Sequence, residues 1–142
     1  MDTKKFLLGT VIGGLVLFFL GYLFYGLALA SFFSQHVITS VSSMKAMSDI
    51  IWWALILGNI AWAALLTYIF LKLGNIKSFG SGASTGAVIG FLMSLSIDLT
   101  RYATENTLDR RAWAADVIIG MVMCAIAGGI IGVVLGAGSK KL

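Results

Sequence analysis

Proline is absent from this chain, cysteine and histidine occur once each, and charged residues make up only 11% of it. Without proline, no helix is forced to bend. A single cysteine, Cys124, excludes an internal disulfide and gives no evidence about redox compartment. It stands in a run of small residues and reads as a packing residue. His36 has no second His or Cys to accompany it in a zinc site, so no metal centre is expected. No Ser-His-Asp set, HExxH pair or phosphate-cradling glycine loop is present. No cofactor is implied, and an enzyme, which would have to be a lipid-modifying one, is the weakest functional reading. With 59% hydrophobic residues and a mean hydropathy of +0.98, a soluble domain could not cover the apolar surface.

Four long apolar stretches are present, at about 6–30, 50–71, 82–102 and 113–137. Each supplies the ~20 residues needed to cross a hydrocarbon core of about 30 Å. The sequence therefore predicts an all-α polytopic membrane protein, with four transmembrane helices in one antiparallel bundle spanning residues 1–142. Lys4 and Lys5, followed by an apolar run ending Ala28-Leu29-Ala30, resemble a signal peptide. That run is longer than the ~7–15 residues of a signal core. It also carries Gly13, Gly14, Gly21, Tyr22 and Tyr25, as a packing face would, and reads as an uncleaved first span.

Lys4, Lys5, Lys72, Lys77, Lys140 and Lys141 flank one side of this layout. Lys45, Arg101, Arg110 and Arg111 flank the other, together with most of the acids. The positive-inside rule then places both termini and the loop 74–81 in the cytoplasm, across a bacterial inner membrane. The net charge of +4 reflects that asymmetry, and nothing supports a nucleic-acid partner. Trp52, Trp53 and Trp113 fall at the outer interface, where indoles prefer to sit. In the outer segment 31–49, Phe33, Val37, Val41, Met44 and either Ala46 or Met47 follow helical spacing. Ser34, Gln35, Ser42, Lys45 and Asp49 form the polar side, so an amphipathic helix is expected. Ser48 and Asp49 are candidate N-caps for the second span. Loop 74–81, rich in Gly and Ser, reads as a simple turn.

The last two spans carry the most specific pattern. Gly82, Gly86, Gly90, Ser94 and Asp98 recur every four residues, as do Asp116, Gly120, Cys124, Gly128, Gly132 and Gly136. Residues four apart share a helix face, and small-xxx-small stripes let membrane helices approach closely. This glycine-zipper pattern predicts an antiparallel register that sets Asp98 against Asp116, Ser94 against Gly120, Gly90 against Cys124 and Gly86 against Gly128. Ionised groups at membrane depth face the bundle interior and find partners. Arg101, on the same face as Asp98, is the expected cation. One cation against two acids leaves a deficit, so the pair is expected to hold a proton or recruit a cation. Thr100, Thr104, Tyr22, Tyr25 and Asn59 lie at levels from which they could join the pair. Asn59 is expected to hydrogen-bond to a neighbouring helix. Carboxylates and hydroxyls would suit a hard cation only with water or substrate completing the shell.

The segment Ile97-Asp98-Leu99-Thr100-Arg101-Tyr102-Ala103-Thr104, followed after a short loop by Asp116-Val117-Ile118-Ile119-Gly120, resembles a family of small bacterial four-helix membrane proteins of unknown function. In that family the third span ends in a DLT-x-x-AT type sequence, and the fourth opens with Asp and a Gly four residues on. Gly21-Tyr22-Leu23-Phe24-Tyr25-Gly26 is loosely similar to a Gly/aromatic box of a related family. Arg101 stands where the first family often has Asn, which alters the charge balance. The resemblance implies a four-helix bundle, points at the same two aspartates and implies no activity.

Two functional readings stay open. In the first, the protein binds or transports a small solute or cation through an outward-facing acidic pocket around Asp98, Arg101 and Asp116. Four spans leave little room for a private path, so transport is expected to require a homodimer. In the second, it is a structural or accessory subunit of another membrane protein, and the Asp/Arg cluster is only a helix clamp.

Overall fold

The computed structural model describes residues 2–38, 45 and 47–137. Helix α1 (Thr3–Gly21) runs without a break into a π-helical stretch, Tyr22–Ala28, and a short helix α2 (Ala30–Gln35) follows. A single 3-10 turn, Met47–Asp49, precedes α3 (Trp52–Leu73), α4 (Phe79–Thr104) and α5 (Arg110–Ala137). Four helices are long and apolar enough to cross a membrane: α1 with its π-helical extension, α3, α4 and α5. The protein is thus all-α, with four candidate spans.

Three of these helices begin before their apolar stretches do, because polar residues start them. Asp2 accepts from Lys5 N at 3.2 Å at the head of α1. Ser78 and Ser81 form a reciprocal capping box on α4. Asp109 Oδ1 accepts from the backbone N–H of Arg111 and Ala112 at 3.0 and 2.9 Å on α5. Such caps satisfy amide donors that the first turn leaves free. The expected capping of α3 is not seen. Its N-cap is Ile51, without a side-chain bond, and Ser48 Oγ instead donates to Asp49 Oδ1 at 3.2 Å.

The outer segment also departs from expectation. Helix α2 stops at Gln35, and Val37 pairs with Leu108 in an isolated antiparallel bridge. Ile38 N–H donates to Thr107 O and Asp109 N–H to His36 O, both at 3.0 Å. Pairing with the α4–α5 loop replaces the helical bonds that an amphipathic helix would need. Ser42, Val41, Met44 and Ala46 lie outside the described residues. The turn after α3 is more than a plain connector. Gly74, at φ +73°, closes the helix in the left-handed conformation that glycine adopts without strain. Ile76 then folds back into the core beside Leu66, Phe70 and Leu135.

The most extensive helix contact is between α4 and α5. A methyl group at Gly82 would overlap the carbonyl oxygen of Gly128, and one at Gly86 that of Cys124. At Gly90 it would strike the Cys124 side chain, at Gly120 the hydroxyl of Ser94 and at Gly132 the carbonyl of Ser78. The two backbones touch along both small-residue stripes, in the register that the period of four implies. Helix α1 lies against α3 and α5 through glycines of its own. A methyl at Gly9 would come 2.7 Å from Thr67 Cγ2, and one at Gly13 2.6 Å from Ile131 Cδ1. Helix α3 touches α4 and α5 sparingly, and its first two turns are exposed.

Lys5 Nζ donates to Leu135 O at 3.3 Å, so the start of α1 meets the end of α5. The backbone of Lys77 abuts Gly136 at the same end. Lys4, Lys5, Lys72 and Lys77 therefore share one end of the bundle. Arg101, Glu105, Asp109, Arg110 and Arg111 occupy the other. Lys140 and Lys141 lie outside the described residues.

Candidate functional site

At the end of the bundle opposite the lysines, the α4 and α5 stripes finish on Asp98 and Asp116. Asp98 is only 4% exposed, and the α4–α5 register, which seats Gly120 on Ser94 one turn earlier, sets it beside Asp116. The donor to this pair comes from α1, where the Tyr25 hydroxyl donates to Asp116 Oδ1. Three helices are thereby joined by one polar chain, Tyr25 to Asp116 to Asp98. Among the described residues, no basic side chain forms an ion pair with either acid.

Tyr25 reaches Asp116 from the π-helical stretch. There Leu29 N–H donates to Phe24 O, five residues back, at 2.9 Å. This wider turn changes which side chains face inward, and π-turns recur at functional sites. Tyr22, the other tyrosine expected at this level, is 45% exposed. The sequence signal that could have separated the two was weak, since glycines flank the stretch at Gly21 and Gly26 but do not specify a π-turn. Buried Phe33 of α2 packs against Tyr25, with ring centroids 5.5 Å apart and the planes tilted by 38°.

Arg101 does not join the acids. Its guanidinium bridges Glu105 at 3.4 Å and lies over the Trp113 ring, 5.0 Å from the centroid. Trp113 is buried, at 5% exposure, whereas Trp52 and Trp53 are exposed. Thr100 and Thr104 are also exposed, and each donates to its own helix, to Ser96 O at 2.8 Å and Thr100 O at 2.9 Å. The threonines thus satisfy themselves locally and do not converge on the acids. Asn59 behaves in the same way, donating to Leu55 O at 2.8 Å rather than across a helix contact.

Asn59 nevertheless lines a cleft of about 370 Å³ between α1, α3, α4 and α5. Tyr25, Ser94, Trp62 and Cys124 share that lining, so the cleft runs up to the phenol that contacts Asp116. The Trp62 indole N–H donates to Cys124 Sγ at 2.9 Å, which fixes the wall. Sequence reasoning put Tyr25 at the level of the site but did not single it out from Tyr22, and it gave Trp62 no contact with Cys124. Two carboxyls and a phenol offer too few oxygens to enclose a divalent cation without water. They suit a small cation or a protonated group shared between the acids.

No family model, curated protein or solved structure matches the chain. Fold and geometry together define a class: an all-α chain of four candidate spans with a paired carboxyl site where three of them meet.

Proposed function

We propose that this is a multi-pass protein of a bacterial inner membrane that binds a small cation or cationic solute at Asp98 and Asp116. The observation that carries the reading is the adjacency of two carboxyls at membrane depth with a phenol and, among the described residues, no ion-paired basic side chain. Such a pair is costly unless a proton or a cation lies between its members. The cleft lined by Tyr25, Asn59 and Ser94 is the route of approach. Both termini are cytoplasmic and the acids lie toward the outer face, a placement supported by the lysines at one end of the bundle and the positive-inside rule. Transport, as opposed to binding, requires a second copy, because the bundle has little room for a path of its own. Membership of the four-helix family resembled over residues 97–120 belongs to the same proposal and adds no activity to it.

One observation favours the alternative of an accessory subunit. The chain from Tyr25 to Asp98 stitches three helices together, as a clamp does. Thermal unfolding in detergent at constant ionic strength separates the two, with sodium, magnesium and guanidinium as probes. A bound cation raises the melting temperature by mass action and saturates. Binding predicts a saturable rise for at least one probe in wild type and none in Asp116→Asn. A clamp predicts the same flat response in both.

A further inference from the structure

The outer flank of the α4–α5 hairpin holds a second concavity, separate from the cleft and facing away from α1 and α3. Its volume is about 430 Å³. Phe91, Leu95 and Leu99 form one wall on α4, Val117 and Ile118 the other on α5, and Trp113 and the nearly buried Asp98 are part of the floor. Tyr102 and Arg110 stand at its mouth. From Phe91 to Tyr102 is eleven residues of helix, about 16 Å at the α-helical rise. The wall is thus a long apolar channel that starts at the charged end of the bundle and descends along the span.

The charges at the mouth are not equivalent. Arg101 is engaged by Glu105 and Trp113. Arg110 forms no ion pair among the described residues, and it is exposed. A cation left free at the top of an apolar channel complements an anionic head that carries a long apolar tail. A cationic amphiphile would set like charge beside Arg110 and is disfavoured. We propose that this groove binds one membrane phospholipid, with its phosphate on Arg110 and an acyl chain along Leu99, Leu95 and Phe91. The proposal goes beyond the cation site, since its ligand carries the opposite charge and lies along the outer flank of the hairpin, where only Asp98, at the floor, is common to both. Arg110 holds the phosphate by charge-assisted hydrogen bonds. Tyr102, exposed at the level of the headgroups, presents the amphipathic ring that interfaces favour.

Native mass spectrometry of the full chain in dodecyl maltoside tests this. The probes are dioleoyl phosphatidylglycerol, dioleoyl phosphatidylcholine and dioleoylglycerol, the last having the same chains without phosphate. Wild type should take up one phospholipid saturably and bind dioleoylglycerol about tenfold more weakly. Arg110→Ala should weaken both phospholipids about tenfold and leave dioleoylglycerol unchanged. Arg111→Ala, at a neighbouring exposed arginine outside the groove, should change nothing. Ala114→Trp fills the channel from its open side and should weaken all three lipids. Leu99→Trp makes the same test if that variant melts below wild type. Wild-type affinities in Arg110→Ala or in both Trp variants would overturn the proposal. So would an equal loss in Arg111→Ala, or displacement of the lipid by dodecyltrimethylammonium at equal concentration.

Discussion

Asp116 accepts from Tyr25 while lying beside Asp98 in the α4–α5 register. Removing the phenolic donor leaves two acids facing each other with no other donor from α1. Tyr25→Phe is therefore expected to destabilise by ~1–3 kcal/mol. Arg101→Ala removes an exposed i,i+4 bridge and a ring contact, and should cost no more than about 1 kcal/mol. Thermal unfolding in detergent checks the order of the two, and a larger loss for Arg101→Ala would place the guanidinium back on the acids. Sequence favoured that assignment because Arg101 shares a face with Asp98. Glu105 lies on that face too, four residues further on, and helical spacing alone could not rank the partners. Tyr22 and Tyr25 were similarly inseparable until the π-turn set the phase of the helix. The two aspartates were legible because each ends a stripe whose period fixes its neighbours.

At the scale of elements, close approach of backbones governs α4 and α5. Methyl groups at Gly86 and Gly128 have nowhere to go, since each would meet the opposing backbone. Gly86→Leu and Gly128→Leu should each destabilise by ~1–3 kcal/mol or more. Gly80, with nothing within 4 Å of an added methyl, is the control. Gly80→Ala should be neutral or stabilise by up to about 1 kcal/mol, through helix propensity alone. Equal melting temperatures for all three variants would separate the stripes. The helices themselves were legible from apolar length, and their ends were not, because Asp2, Ser78 and Asp109 start them with residues that hydropathy scores as loop. The outer segment was misread for a related reason. Its helical spacing is real as far as Gln35, but the bridge of Val37 to Leu108 depends on a loop some seventy residues away. No local pattern reports such a partner.

For the whole molecule, the separation of charge between its two ends is the basis of the proposed orientation in a membrane. Cysteines introduced at Ser78 and Asn106, in a Cys124→Ala background, should label from opposite sides of intact cells, with position 106 accessible from outside. Labelling of both from one side would refute the four-span topology. The central claim, that Asp98 and Asp116 form a cation site, is tested most directly by isothermal titration calorimetry. The titrant is the cation that stabilises wild type, and the comparison is with Asp116→Asn. Asn at this position can still accept from Tyr25 and donate to Asp98, so the helix contacts survive while one charge is lost. The account predicts saturable binding of one cation per chain in wild type and a loss of at least about tenfold in the variant. Equal titrations in the two proteins would contradict it and leave the carboxyl pair as a clamp.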